Sequence, residues 1–247
     1  MNLSDLAAKG AAPEGVLLNF PLGDPVWDGA FVAGLGEALA AFDCPLLGGD
    51  TVSLPAGAPR VLTLTAIGRD AVAPARNGAR AGDVLWVTGT IGDAGAGLRI
   101  ARGEAGPAAL LDRYRRPRPR LAEGRALAPV VRAMSDVSDG LLIDAARMAA
   151  ASGLAVAVAL DAVPLSPALA AFAPDRLAAA TAGDDYELLF ALPAGVEPPV
   201  PATRVGAFVA GSGLTLFDRG RPMPLPARLG FEHGADRAGL PAGAPFL

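Results

Sequence analysis

Strand-like runs punctuate this chain without keeping step with its helices. GVLLNFPL (15–22), RVLTLTAIG (60–68), DVLWVTG (83–89), LAVAVALD (154–161) and YELLFALP (186–193) are apolar, and the clearest are β-branched and alternating. TRVGAFVAGSGLTLFD (203–218) reads as two strands around a Gly-rich turn, and CPLLGGDT (44–51) as a short apolar run that stops at its paired glycines. Helical spacing marks 24–43, with Pro25 near its start, then 93–103, 109–116, 120–134 and 168–181. Because strands and helices do not alternate strictly, the pattern predicts an α+β fold with mixed or antiparallel sheets covered by helices, not a doubly wound parallel sheet. The turn-rich NGARAGD (77–83) is the natural joint, which divides the chain into an N-terminal unit (1–77) and a C-terminal unit (78–247).

Several function classes fall away at once. With 52% hydrophobic residues the chain can bury a sizeable core, yet no apolar run reaches the roughly 18 residues of a membrane span. The opening MNLSDLAAKG lacks the basic flank and apolar stretch of a secretion signal. Cys44 is the sole cysteine, so an internal disulfide and a cysteine zinc site are excluded, and a cytoplasmic setting is expected. A net charge of −4 argues against a nucleic-acid surface. The basic cluster RYRRPRPR (113–120) is short, broken by prolines, and reads as a solvated helix–loop surface. His233 is the only histidine and has no Ser or Cys nucleophile motif near it, which argues against a hydrolase triad. The Gly/Pro-rich tail after residue 230 is expected to run over the surface.

What stands out is where the carboxylates fall. They gather in Gly-flanked or turn contexts: SDL (4–6), GGDT (48–51), SDVSDG (135–140) and GDDYE (183–187). Carboxylates converging in one cleft repel one another unless cations sit between them. Mg²⁺ suits such a place, since it takes oxygen ligands and commonly binds through carboxylates plus substrate phosphates. Plainer readings stand beside this one. Ser4 or Asp5 would serve as a helix cap, Asp50 as a turn residue, and Asp139 as an N-cap favourable to the helix dipole. Capping alone leaves Asp136 and Ser138 unexplained, whereas Asp144, inside the apolar helix, reads as structural. TGTIGDAGAGL (88–98) lacks the GK[ST] ending of a phosphate loop and reads as a tight strand-to-helix turn. Phe231, in GFEH, is either a core plug or a platform for a flat ring.

In this order, NLSDLAAKGAAP, LLGGDT, ARNGARAGDVLWVTGTIGDAGAGL, RPRPRLAEG, DVSDGLLID, GDDYELLF and GFEH resemble the blocks of the thiamine-monophosphate kinases, within the aminoimidazole ribonucleotide synthetase-like superfamily. The resemblance implies a two-domain α+β homodimer that moves the γ-phosphoryl group of ATP directly onto thiamine phosphate, giving thiamine diphosphate. It implies Mg²⁺ at Asp5, Asp50, Asp136 and Asp139. It implies nucleotide contacts at Gly49, Asp50, Arg76 and Ser138, and thiamine phosphate contacts at Asp184 and Phe231. Phosphoryl transfer is mainly positioning and charge neutralisation, so carboxylates, metal and an arginine are a sufficient toolkit.

Three departures accompany the resemblance. Family members usually carry about seventy residues before NLSDL, including an Asp-Asp metal motif, a further acidic stretch with a substrate-contacting His, and the first strands of the N-terminal domain; length bounds what a chain can build, so this one is expected to have an incomplete N-terminal domain. Val32 stands where an aromatic is common near the nucleotide, and Asp184 where Glu is common. Two other functions stay open: a related ATP-using synthetase of the superfamily, or a nucleotide-binding chain without catalysis.

Overall fold

A computed structural model describes residues 1–232 apart from 56 and 71. His233 and the rest of the Gly/Pro-rich tail lie outside the described residues. The elements run α1 (Asn2–Ala7), β1 (Ala12–Leu22), α2 (Pro25–Ala41), β2 (Leu46–Ser53), β3 (Thr63–Arg69), β4 (Val84–Thr88), α3 (Asp93–Ala101), α4 (Ala108–Arg115), α5 (Leu121–Leu127) and β5 (Ala133–Asp136). They continue with α6 (Leu141–Ala151), β6 (Ala155–Ala159), α7 (Pro167–Phe172), α8 (Arg176–Thr181), β7 (Leu188–Leu192), β8 (Ala202–Val209), β9 (Gly213–Asp218) and β10 (Arg221–Met223).

Among the described residues the strands build two sheets, ordered β2-β1-β3 and β10-β9-β6-β8-β4-β7-β5. Parallel and antiparallel neighbours coexist in each: β1 runs parallel to β2 and antiparallel to β3, while β6 runs parallel to β9 and antiparallel to β8. This is the α+β class that the irregular pattern of strands and helices predicts. α2 starts where Asp24 accepts the Val26 and Trp27 N–H groups ahead of Pro25, as its sequence suggests.

Four local readings need correction. GGDT does not end the apolar run, because β2 passes through both glycines to Ser53. A Cβ on Gly49 would strike the Leu18 backbone of the neighbouring strand, so glycine is what lets β1 and β2 pair there. The single helix expected over 120–134 is a short α5, a turn at Pro129, and then strand β5, since proline removes the N–H that a helix interior needs. Pro174 likewise splits 168–181 into α7 and α8. The strands in 203–218 do not pair with each other; β6 lies between them.

Strand pleating sorts the core into two layers. Leu85, Val87, Leu189, Ala191, Val156, Phe208 and Leu216 face α6 and meet its Leu141, Leu142, Ala145 and Met148. The alternate residues Trp86, Leu188, Phe190 and Leu192 face the other way, onto Ala7 and Ala8 at the end of α1 and Leu127 and Ala128 at the end of α5. Each large side chain withdrawn from water in this way contributes about 1.5–3 kcal/mol. A six-residue helix is too short to stand alone, so α1 exists because this apolar face holds it.

Close approach sets that docking. Gly124 of α5 lies against the Ala7 backbone with no room for a Cβ. Gly124→Ala is therefore expected to lower the unfolding free energy by about 1–3 kcal/mol through overpacking, read as a shifted midpoint in urea titration.

Candidate active site

A cleft of about 650 Å³ opens where α1, the loop after β5, the start of α3, the segment before β7 and residues 228–231 meet. Its walls include Asp5, Asp136, Ser138, Asp139, Asp184 and Phe231. Six of the nine positions expected from the sequence therefore share one depression.

Its floor is an extension of a strand ladder. β5 pairs with β7 from Ala133 opposite Ala191 to Asp136 opposite Leu188. Beyond the last rung the pairing continues through loops: Val137 N–H donates to Glu187 O (2.8 Å), Tyr186 N–H to Val137 O (2.8 Å) and Asp184 N–H to Ser138 O (2.8 Å). On the other flank Phe231 N–H donates to Asp139 O (2.8 Å). The DVSDG loop is thus held from both sides by the two segments expected to meet thiamine phosphate. Asp184 and Tyr186 both take left-handed backbone angles, φ 67° and 52°, which is rare for tyrosine and typical of strained functional loops.

Each side chain has an identifiable anchor. Asp136 is nearly buried and accepts a 2.6 Å hydrogen bond from Ser4 Oγ of α1. Ser4 and Asp5 lie inside α1, whose N-cap is Met1, so neither is the cap of that helix. Asp139 does not cap α6 with its side chain; Gly140 holds the N-cap position. The Asp139 carboxylate instead pairs with Arg147. The cap-like role passes to Asp144, whose Oδ2 accepts the N–H groups of Ser138 and Asp139 at 3.0 Å each. Burial pushes the Asp144 carboxyl up, opposed by these bonds and by Arg147. Tyr186 Oη donates to Asp184 Oδ1 at 2.8 Å, and burial together with Asp184 raises its phenol so that it remains a donor throughout the physiological range.

The cleft is acidic. Withdrawal from water raises the Asp5 carboxyl, the Asp136 charge raises it further, and Arg76 and Lys9 oppose this from nearby. Arg76 is thereby placed within electrostatic reach of Asp5, although it is exposed and does not line the cleft. Gly49 and Asp50 are not brought there: both are exposed on β2, Gly49 opposite Leu18 and Asp50 opposite Asn19. Among the described residues no three His, Cys, Asp or Glu side chains stand close enough to cage a metal. Two neighbouring carboxylates that repel each other, Asp5 and Asp136, do fit a Mg²⁺ ion that completes its shell with phosphate oxygens and water.

Sequence reasoning missed the supports behind these groups. Glu187 is fully buried and accepts from Thr88 Oγ1 (2.7 Å), Arg113 (2.9 Å) and Arg120 (2.6 Å at both oxygens). The RYRRPRPR cluster is therefore only partly solvated surface: Arg115, Arg116 and Arg118 are exposed, while Arg113 and Arg120 turn inward. The available signal was the acidic GDDYE itself, since a carboxylate entering a strand must find a cation.

Comparison with known proteins follows this geometry. Residues 1–69 match the family described as AIR synthase related protein, N-terminal domain, and 80–218 match AIR synthase related protein, C-terminal domain. The thiamine-monophosphate kinase of Caulobacter vibrioides is 40% identical over 94% of this chain and 72% of its own length. The crystal structure of thiamine-monophosphate kinase from Stenotrophomonas maltophilia superposes with a TM-score of 0.78 at 35% identity, covering 90% of this chain and 77% of that one. That of AaThiL complexed with AMPPCP and TMP gives 0.80 at 29% identity, covering 93% and 77%.

Removing the Ser4 hydroxyl leaves buried Asp136 short of a donor. Ser4→Ala is expected to cost about 1.5–3 kcal/mol of stability, measured by chemical denaturation, whereas an exposed serine would cost almost nothing.

Proposed function

This chain belongs to the thiamine-monophosphate kinases, within the AIR synthase related proteins, and from that premise we propose that its acidic cleft uses ATP to phosphorylate thiamine phosphate to thiamine diphosphate. The observation that carries the assignment is the shared floor of the cleft: the DVSDG loop and the GDDYE segment, one from each side of the expected reaction, are locked together by consecutive backbone hydrogen bonds. AaThiL, which shares the fold, is known complexed with AMPPCP and TMP, which supports this reading. A division into 1–77 and 78–247 is part of this reading, supported by one family match that ends at 69 and a second that begins at 80.

The roles follow from position. Asp5, Asp136 and Asp139 would hold Mg²⁺ beside bound phosphate, and Asp50, on β2 outside this cleft, would serve as the fourth carboxylate only across a bound nucleotide or from a second copy. Bound Mg²⁺ neutralises charge on the polyphosphate and orients it. Ser138 and Arg76, with Gly49 and Asp50, contact the nucleotide, and the Arg76 guanidinium supplies forked donors to phosphate. Asp184, held by Tyr186, and the half-exposed Phe231 receive thiamine phosphate, Phe231 presenting its ring face. Ser138 and Tyr186 need not act as covalent nucleophiles: the acceptor is a phosphate oxygen, already anionic, so in-line alignment is the main requirement.

A second copy of the chain completes the assembly. α2 buries none of its residues, and Val26, Trp27, Val32, Leu46, Leu47 and Val52 are exposed on or beside the three-stranded sheet. An apolar surface of this kind favours association, and a homodimer through this face is the arrangement we expect. Among the described residues no helix is long and apolar enough to cross a membrane, and ATP as donor with a lone buried Cys44 suits a cytoplasmic enzyme.

Two measurements test this. In a coupled assay with ATP, Mg²⁺ and thiamine phosphate, ADP should appear only when thiamine phosphate is present. Asp139→Ala should reduce that rate by at least about a hundredfold with the circular dichroism unchanged; retained activity would remove Asp139 from the metal site. Sedimentation velocity should give a dimer, and Trp27→Glu should give a monomer; a wild-type monomer would end the dimer assignment.

A further inference from the structure

GDDYE shows two faces to its surroundings. Asp184 and Tyr186 line the cleft, while Asp185 and Glu187 turn into the protein. Glu187 has its two arginines. Asp185, 3% exposed, forms no ion pair with the described residues and instead reaches the turn between β4 and α3. Its Oδ2 accepts the Gly92 N–H at 2.8 Å and its Oδ1 the Ala94 N–H at 3.4 Å, so one carboxylate spans the first turn of α3. A buried carboxyl whose oxygens accept peptide N–H groups is costly to leave without them and marks a place where backbone position matters. Asp93, one residue away, holds the same turn from outside through Thr90 (2.9 Å) and Ser166 (2.6 Å).

The consequence lies immediately next to this turn. Ala94, Gly95 and Leu98 form the cleft wall facing Gly183 and Asp184, and Gly95 packs on Ala182 with no room for a Cβ. Beside that packing contact, the side chain of Asp185 ties the wall to the substrate-facing Asp184, its immediate neighbour in the chain.

We propose that Asp185 is a positioning residue for the thiamine-phosphate end of the cleft: by gripping the Gly92 and Ala94 amides it sets the distance between the α3 wall and Asp184, and so the fit of the acceptor. This rests on the kinase reading above. Asp185 touches neither nucleotide nor acceptor; it acts through the α3 turn and through the left-handed backbone at Asp184 and Tyr186 on either side of it.

The test is Asp185→Asn, which keeps the shape and loses one acceptor, with two readouts. In the kinase assay the KM for thiamine phosphate should rise about tenfold while the KM for ATP changes less than about twofold. In hydrogen exchange the Gly92 and Ala94 amides should lose protection while the β4 and β7 amides keep theirs. Asp185→Glu, which retains both acceptors, should recover part of the lost KM, and it carries the test if the Asn variant does not fold: its own KM split then decides. Equal rises in both KM values, or unchanged kinetics with only a lower melting temperature, would make Asp185 merely structural and overturn the proposal. If the wild-type chain makes no thiamine diphosphate, the kinase reading fails by itself. Exchange then decides the positioning claim: unchanged Gly92 and Ala94 protection in the variant overturns it, and selective loss sustains the grip on the turn.

Discussion

The continuation of the β5–β7 ladder past its last regular rung is the constraint on which the rest of this structure depends. Val137, Ser138, Asp184, Tyr186 and Glu187 keep exchanging backbone hydrogen bonds after the strands have stopped. Backbone groups this deep must be paired, and here they pair mostly with one another, while the Ser138 N–H donates to Asp144 Oδ2. The result is a loop and a strand end that cannot move independently. Two left-handed residues in that segment are the local cost of turning the chain while keeping the ladder intact.

Charge follows from that constraint. Asp185, Tyr186 and Glu187 are all buried, and two of these three side chains are acids. Glu187 is made tolerable by Arg113 of α4 and Arg120 at the start of α5, about seventy residues earlier in the chain, a span whose closure costs little more than that of a short loop. Glu187 in turn raises the Arg120 guanidinium's hold on its proton. Asp185 takes peptide N–H groups instead, and burial pushes its carboxyl well up despite them. The acids that line the cleft, Asp5, Asp136, Asp139 and Asp184, are those whose charge can also be met by a ligand arriving from solution.

The architecture was legible in the sequence because it rests on period and composition. Irregular interleaving of strands and helices gives a mixed sheet, and Asp24-Pro25 gives the start of α2. The cluster of Asp136, Ser138, Asp139 and Asp184 was legible for the same reason that it works, since glycine beside carboxylate at a strand end has few other uses. What escaped notice depends on distance in space. Nothing in SDL tells that Ser4 reaches Asp136, 132 residues away, or that α1 owes its existence to the far face of the seven-stranded sheet. The helix expected over 120–134 erred because its apolar spacing suits β5 equally well once Pro129 has broken it.

Gly49 and Asp50 show how one motif can carry two independent demands. Pairing of β1 with β2 accounts for the glycine without any ligand, because the Leu18 backbone occupies the space of its side chain. The same pairing leaves Asp50 exposed beside Asn19, on the sheet whose outer surface carries the exposed leucines and valines. A carboxylate there can take part in phosphate chemistry only with an ion and a nucleotide between it and the cleft, or with a second copy bringing another cleft towards it. The geometry of one chain separates the two acidic stations, and this makes assembly and catalysis parts of one question in this protein.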